Sequence, residues 1–220
     1  MKFAEIIHGG RAKAEIAASV VAAIYAKLPG LTTSYAELTL TLGRRTQAGV
    51  KLWRDCTVEE SANLTPMFQL CASGTGDFGA EHSVLTLFPS TTYPPVLHFR
   101  PDVSERDVGR LPIPLQRILS QLTAVTEIRT DGLLGLSHVL GPATRKTLLL
   151  PCLKKVVTDR DTYFKDKQKS LSKLQQQLKA RKTSGAGIET WQVDNTSNLL
   201  TTSDLSQFEG LVDVVEQPCR

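Results

Sequence analysis

The sequence predicts an α+β protein: an N-terminal helix, an antiparallel β-meander of about four strands, then helices, with a helical extension and a flexible tail. Three observations predict it. The apolar period changes from about four to two after Pro29-Gly30. Strand-like runs then follow one another across short loops, which favours antiparallel neighbours. Charge, finally, divides the chain into zones. Residues 145–182 hold 12 Lys and Arg against 3 Asp and Glu, residues 183–220 hold 1 against 6, and the first 144 residues hold 13 of each. The expected organisation is an α+β head over 1–150, a basic helical extension over 151–182, and a flexible acidic tail over 183–220 with a short apolar motif.

The first element is expected around Ile16–Ala26, where Ile16, Val20 and Ile24 recur every four residues beside Val21, Tyr25 and Leu28. That spacing lines one face of an amphipathic helix, and Glu5, Glu15 and Ser19 argue against a signal peptide. In Ser34–Leu42, Ala36, Leu38, Leu40 and Leu42 alternate with Glu37, Thr39 and Thr41, as in a strand with one buried face. Thr46–Trp53, Met67–Ala72, His82–Phe88 and Val96–Phe99 read as further strands. Leu115, Ile118, Leu119, Leu122 and Val125 then mark a helix face, with Pro112 and Pro114 where a helix start tolerates proline. Residues 133–151 are apolar but broken by Gly135, Gly141, Pro142 and Pro151, and fit neither period.

Thr158–Lys182 reads as a long polar helix with Phe164, Leu171, Leu174 and Leu178 on one stripe. As heptads, Lys167, Leu174 and Arg181 take the d positions, and two charges among them disfavour a coiled coil of this segment alone. The helix either packs on the head or pairs in a homo- or heterodimer. Asp204–Glu216 carries Leu205, Phe208, Leu211, Val212 and Val215 at helical spacing. This patch either fits a partner's groove or docks on the chain's own head beside the basic helix.

Motifs for chemistry are few. Gly74–Gly79 matches GxGxxG, but Val84–Phe88 follows where a dinucleotide site needs a helix N-terminus. Ser137-His138 lacks the second glycine of a nucleophile elbow. His8, His82, His98 and His138 show no ligand spacing, and Cys56, Cys71, Cys152 and Cys219 form no CxxC pair. No catalytic residue, cofactor or metal is expected, and no run approaches the roughly 20 apolar residues that cross a bilayer. A thiol enzyme acting through Cys152 would lack a nearby base in sequence.

The order helix, strands, proline-rich turn, helix resembles the RWD and ubiquitin-conjugating fold group over roughly residues 11–125. Ala23-Ile24-Tyr25 is similar to the close of an RWD first helix, and Phe88-Pro89 with Tyr93-Pro94-Pro95-Val96 is similar to the group's proline turn. No HPN follows, and no cysteine lies between Phe99 and Leu150, where a conjugating enzyme places its nucleophile. The resemblance implies a non-catalytic, protein-binding member used as a scaffold subunit.

The expected function is therefore that of an intracellular adaptor or structural subunit, nuclear or cytoplasmic, whose partners are other protein subunits and not a membrane. Its expected contact residues are Phe164, Leu171, Leu174, Leu178, Leu205, Phe208, Leu211, Val212 and Val215. The alternative is a nucleic-acid-binding subunit that neutralises phosphates with Lys154, Lys155, Arg160, Lys165, Lys167, Lys169 and Lys173.

Overall fold

A computed structural model describes residues 2–8, 35–42, 46–53, 68–74, 95–103, 111, 113–130, 132–144, 147–158, 167–193 and 200–216. In its first half lie the strands β1 (Lys2–His8), β2 (Tyr35–Leu42), β3 (Thr46–Trp53), β4 (Phe68–Gly74) and β5 (Val96–Val103). The second half alternates: α1 (Ile113–Gln121), β6 (Glu127–Thr130), α2 (Gly132–Leu140), a small hairpin of β7 (Pro142–Thr144) and β8 (Thr147–Leu148), β9 (Lys155–Thr158), α3 (Lys167–Thr183), β10 (Thr190–Val193), α4 (Thr202–Ser206) and β11 (Asp213–Glu216).

Nine strands form one sheet in the order β1-β4-β3-β2-β5-β6-β9-β10-β11. Within this sheet the antiparallel pairs among the described residues are β2–β3 and β3–β4. From β5 to β11 every neighbour is parallel. The arrangement is α/β, and it corrects the antiparallel meander and the α+β class expected from sequence. The reason is physical. Alternation within a strand shows which side chains share a face, but not the direction of the strand beside it. The four strands added after β5 are also only four residues each, too short to display a period.

Other expectations shift with the class. The described chain opens on the strand β1, while the expected helix at Ile16–Ala26 and the expected strand at His82–Phe88 lie outside the described residues. Thr158 closes β9 and does not open a helix. The segment expected to be a loose tail contributes β10 and β11 to the sheet, and Asp204–Glu216 is split between α4 and β11. The segments that carried the RWD resemblance, Ala23-Ile24-Tyr25 and Phe88, Pro89, Tyr93 and Pro94, lie outside the described residues.

The parallel half is built by repetition. Strand follows strand in chain order, each displaced to the same side of the last. Crossovers of one hand that always step the same way place every connecting segment on the same face. Accordingly, Leu97, Phe99, Ile128, Val156, Trp191 and Val193 join Leu119, Leu136, Leu171, Leu174 and Phe208 of the intervening segments in one apolar cluster. His98, Val157 and Gln192, on the alternate face, are not in it. Among the described residues, this half has a layer of strands and a layer of helices, repeated as in a solenoid.

The backbone repeats as well. Thr126 and Glu127 donate to Pro95 O, Lys154 and Lys155 to Thr126 O, Glu189 and Thr190 to Lys154 O, and Asp213 to Glu189 O, at 2.8–3.2 Å. Each unit enters its strand through the same hydrogen bonds to the unit before. A corresponding spacing runs through the sequence: Leu122, Val125, Ile128 and Thr130; Leu150, Leu153, Val156 and Thr158; Ile188, Trp191 and Val193; Phe208, Leu211 and Val214. The apolar step is three residues into the strand and two within it, because the chain turns into each strand before alternating.

Two details hold the array together. Arg181, at the end of α3, is 1% exposed and donates to Leu149 O at 2.8 Å and Leu150 O at 2.9 Å. Leu150 has φ of 47°, a left-handed conformation that costs a branched residue about 1–2 kcal/mol. The guanidinium clamps the turn that holds it, and burial lowers the Arg181 pKa to about 10. At the other end of α3, Lys167 Nζ lies 2.6 Å from Asp204 Oδ2. Asp204 completes a capping box with Thr201 at the start of α4, and the hydrogen bond from Lys167 is the main reason its carboxyl sits near 2.

Candidate functional site

Parallel strands in register present matched rows of side chains. The face turned away from the helices carries Val96, Glu127, Lys155, Thr190 and Asp213 in one row. A second row, two residues on, runs His98, Arg129, Val157, Gln192 and Val215. Because neighbouring strands lie about 4.8 Å apart, the rows place a different side chain at each regular step.

The rows are unequal along their length. From β5 to β9 they are closed in: His98 is 4% and Val157 0% exposed, and the side chains of Glu127 and Arg129 are 16% and 15% exposed. There Glu127 accepts from Arg129 Nε at 3.1 Å through Oε1 and pairs with Lys155 Nζ at 3.0 Å through Oε2. One carboxylate shared between two cations fixes the rotamers of three long side chains across two strands. Toward β10 and β11 the face opens. Thr190 and Gln192 are half-buried, Asp213 is exposed, and Val215 is 44% exposed.

The residues expected to bind partners fall elsewhere. Leu171, Leu174, Leu178, Leu205, Phe208 and Val212 are all buried in the apolar cluster, and Leu211 is half-buried. The stripe on α3 therefore faces its own core, and the adjoining segment docks on that helix: Gln175 Nε2 donates to Gln207 O at 2.8 Å and Lys182 Nζ to Gly210 O. Of the expected contact residues only Val215 is exposed; Phe164 lies outside the described residues.

The basic residues are dispersed in the same way. Lys154 pairs with Glu189 at 2.9 Å, Lys155 with Glu127, and Lys167 with Asp204. Lys169 and Lys173 are exposed on α3, while Arg160 and Lys165 lie outside the described residues. The charge zones of the sequence are thus partly met within the molecule: the basic segment holds the acidic one. Cys152 is exposed in the turn before β9. Ser137 and His138 lie side by side on α2, both buried, and His138 Nε2 finds no hydrogen-bond partner. Burial, reinforced by the charge of Lys173, lowers the His138 pKa to about 4.

Sequence reasoning missed the rows because it did not place β6, β9, β10 and β11. The signal that could have found them is the recurrent spacing described above, which emerges only when segments about 23–35 residues apart are aligned. No protein-family model matches the chain, and comparison with curated proteins finds no relative. No helix among the described residues is long and apolar enough to cross a membrane.

Proposed function

We propose that the chain is a non-catalytic protein-interaction subunit, and that it recognises its partner with the face of the parallel array turned away from α1, α2 and α3. One observation carries the reading: among the described residues the helices of this half pack on one side, and the rows of the opposite face vary from strand to strand. Such a surface gives specificity through the identity of each side chain on a rigid backbone, because alternate residues can change without disturbing the core. Lys155, Thr190 and Gln192 lie on its more open part.

The test uses the tagged full chain, captured with nuclease present and at low and high salt. The comparison is a variant carrying Thr190→Arg and Gln192→Arg, which leaves the Glu127–Lys155 pair intact. The expected result is a defined set of proteins that survives nuclease and salt and falls at least tenfold in the variant, whose circular dichroism and melting temperature stay those of the parent. An unchanged set in the folded variant rejects the face as the recognition surface. Recovery that collapses with nuclease moves the reading to nucleic acid.

A further inference from the structure

β11 is the last strand of the sheet, and its outer edge has no partner among the described residues. Asp213 N–H donates inward, to Glu189 O at 2.9 Å. Backbone groups alternate along a strand, so those of Val214 and Glu216 turn outward. A row of free N–H and C=O groups on an edge is a template for one more strand.

Beside this edge, on the helix side, lies an open groove of about 630 Å³. Leu205, Val212 and Val214 give it an apolar floor. Its rim is acidic: Glu209, Asp213 and Glu216 are exposed, and the nearby Lys182 is engaged with Gly210 O. An added strand would send alternate side chains into the groove and the others onto the open face. The edge and the groove are therefore two parts of one docking geometry.

We propose that β11 takes up an extended basic segment of another protein as an added strand. Basic residues lie opposite Asp213 and Glu216, and an apolar residue opposite Val214 enters the groove. Charge selects this occupant over a second copy of the chain. Two β11 edges joined about a two-fold axis would bring the acidic rims of both copies, each with Glu209, Asp213 and Glu216, to one junction, and like charges brought together there oppose pairing. Thr190 and Gln192 line neither the groove nor the outer edge of β11, so either proposal can fail while the other stands.

The probe is a short blocked peptide with two valines flanked by lysines, compared with its glutamate counterpart on the full chain. Fluorescence anisotropy is expected to show the lysine peptide binding at least tenfold more tightly. Amide exchange at Val214 and Glu216 is expected to slow on binding, while that at Asp213 and Val215 changes little. Glu216→Pro removes one outward N–H without touching the bonds to β10 and should abolish binding; Asp213→Lys with Glu209→Lys should weaken it at least tenfold and leave the backbone intact. Equal affinity for the two peptides, unaltered exchange at Val214 and Glu216, or no binding overturns the proposal. So does concentration-dependent self-association that Glu216→Pro removes, which assigns the edge to a second copy.

Discussion

β10 and β11 are successive strands of one parallel array, and they differ mainly in what lies beyond them. β10 has a strand on each side, and its Trp191 and Val193 are 1% and 2% exposed. Trp191 meets Phe208 edge to face with ring centroids 5.0 Å apart, and its Nε1 donates to Thr158 Oγ1 at 3.3 Å. β11 has, among the described residues, a neighbour on one side only. Asp213, Val215 and Glu216 are exposed, and Val214 is half-buried. Both strands are four residues long and enter the sheet through similar hydrogen bonds. In a stacked array, then, burial comes from the neighbouring unit, and the unit at the end of the stack keeps an apolar surface that a binding partner can cover.

The strongest way to break the comparison is at the interior strand. Trp191→Ala removes a buried ring and is expected to cost about 3–5 kcal/mol, read as a lowered midpoint in urea unfolding. Arg181→Met acts one unit back. It leaves the Leu149 carbonyl without its donor and the Leu150 carbonyl with Leu153 N–H alone, at about 1–3 kcal/mol for the orphaned group. An expected loss of roughly 1–3 kcal/mol would appear in the same assay, and a loss below that range would show the clamp to be dispensable.

His138 tests the helix layer behind the interior strands through pH. Its folded pKa of about 4 lies below the ordinary value of 6.5, so between these values the unfolded chain binds the extra proton. Its contribution is complete above pH 6.5 and is lost as the pH falls toward 4, by up to about 3 kcal/mol. His138→Leu should flatten that part of the stability–pH profile; a profile as steep as the parent's assigns the proton uptake to another group.

The end unit should respond weakly. Thr201→Ala removes the α4 cap and is expected to cost about 1 kcal/mol, which thermal melts can resolve. Val215→Ala, at an exposed site, should change stability by less than about 0.5 kcal/mol. A large effect of Val215→Ala would mean that the outer strand is already covered in solution, and the contrast between interior and end would fail.

Individual elements were readable where a segment is long enough to state its own period. Ala36, Leu38, Leu40 and Leu42 mark β2, and Leu115, Ile118 and Leu119 mark α1, because each run covers several repeats of its geometry. Leu171, Leu174 and Leu178 were readable as one stripe, but not as core: an apolar helix face has the same spacing whether it meets its own sheet or a partner. The strands Glu127–Thr130, Lys155–Thr158, Thr190–Val193 and Asp213–Glu216 each show at most two alternations. Their identity depends on one another, through hydrogen bonds between residues about 30 positions apart.

By itself the sequence determined which segments alternate, which stripe of α3 is apolar, and that a basic segment precedes an acidic one. Those properties are local, set by the side chains that neighbours in the chain place on one face. Only the tertiary structure decided strand direction, the side on which α1, α2 and α3 pack, and the fate of the charges. It gave Lys167 to Asp204 and Lys154 to Glu189, and it buried the stripe while leaving Val215 and the edge of β11 exposed. Those outcomes belong to stacking: a four-residue strand has no preferred neighbour until the unit before it supplies the hydrogen bonds and the apolar surface on which it settles.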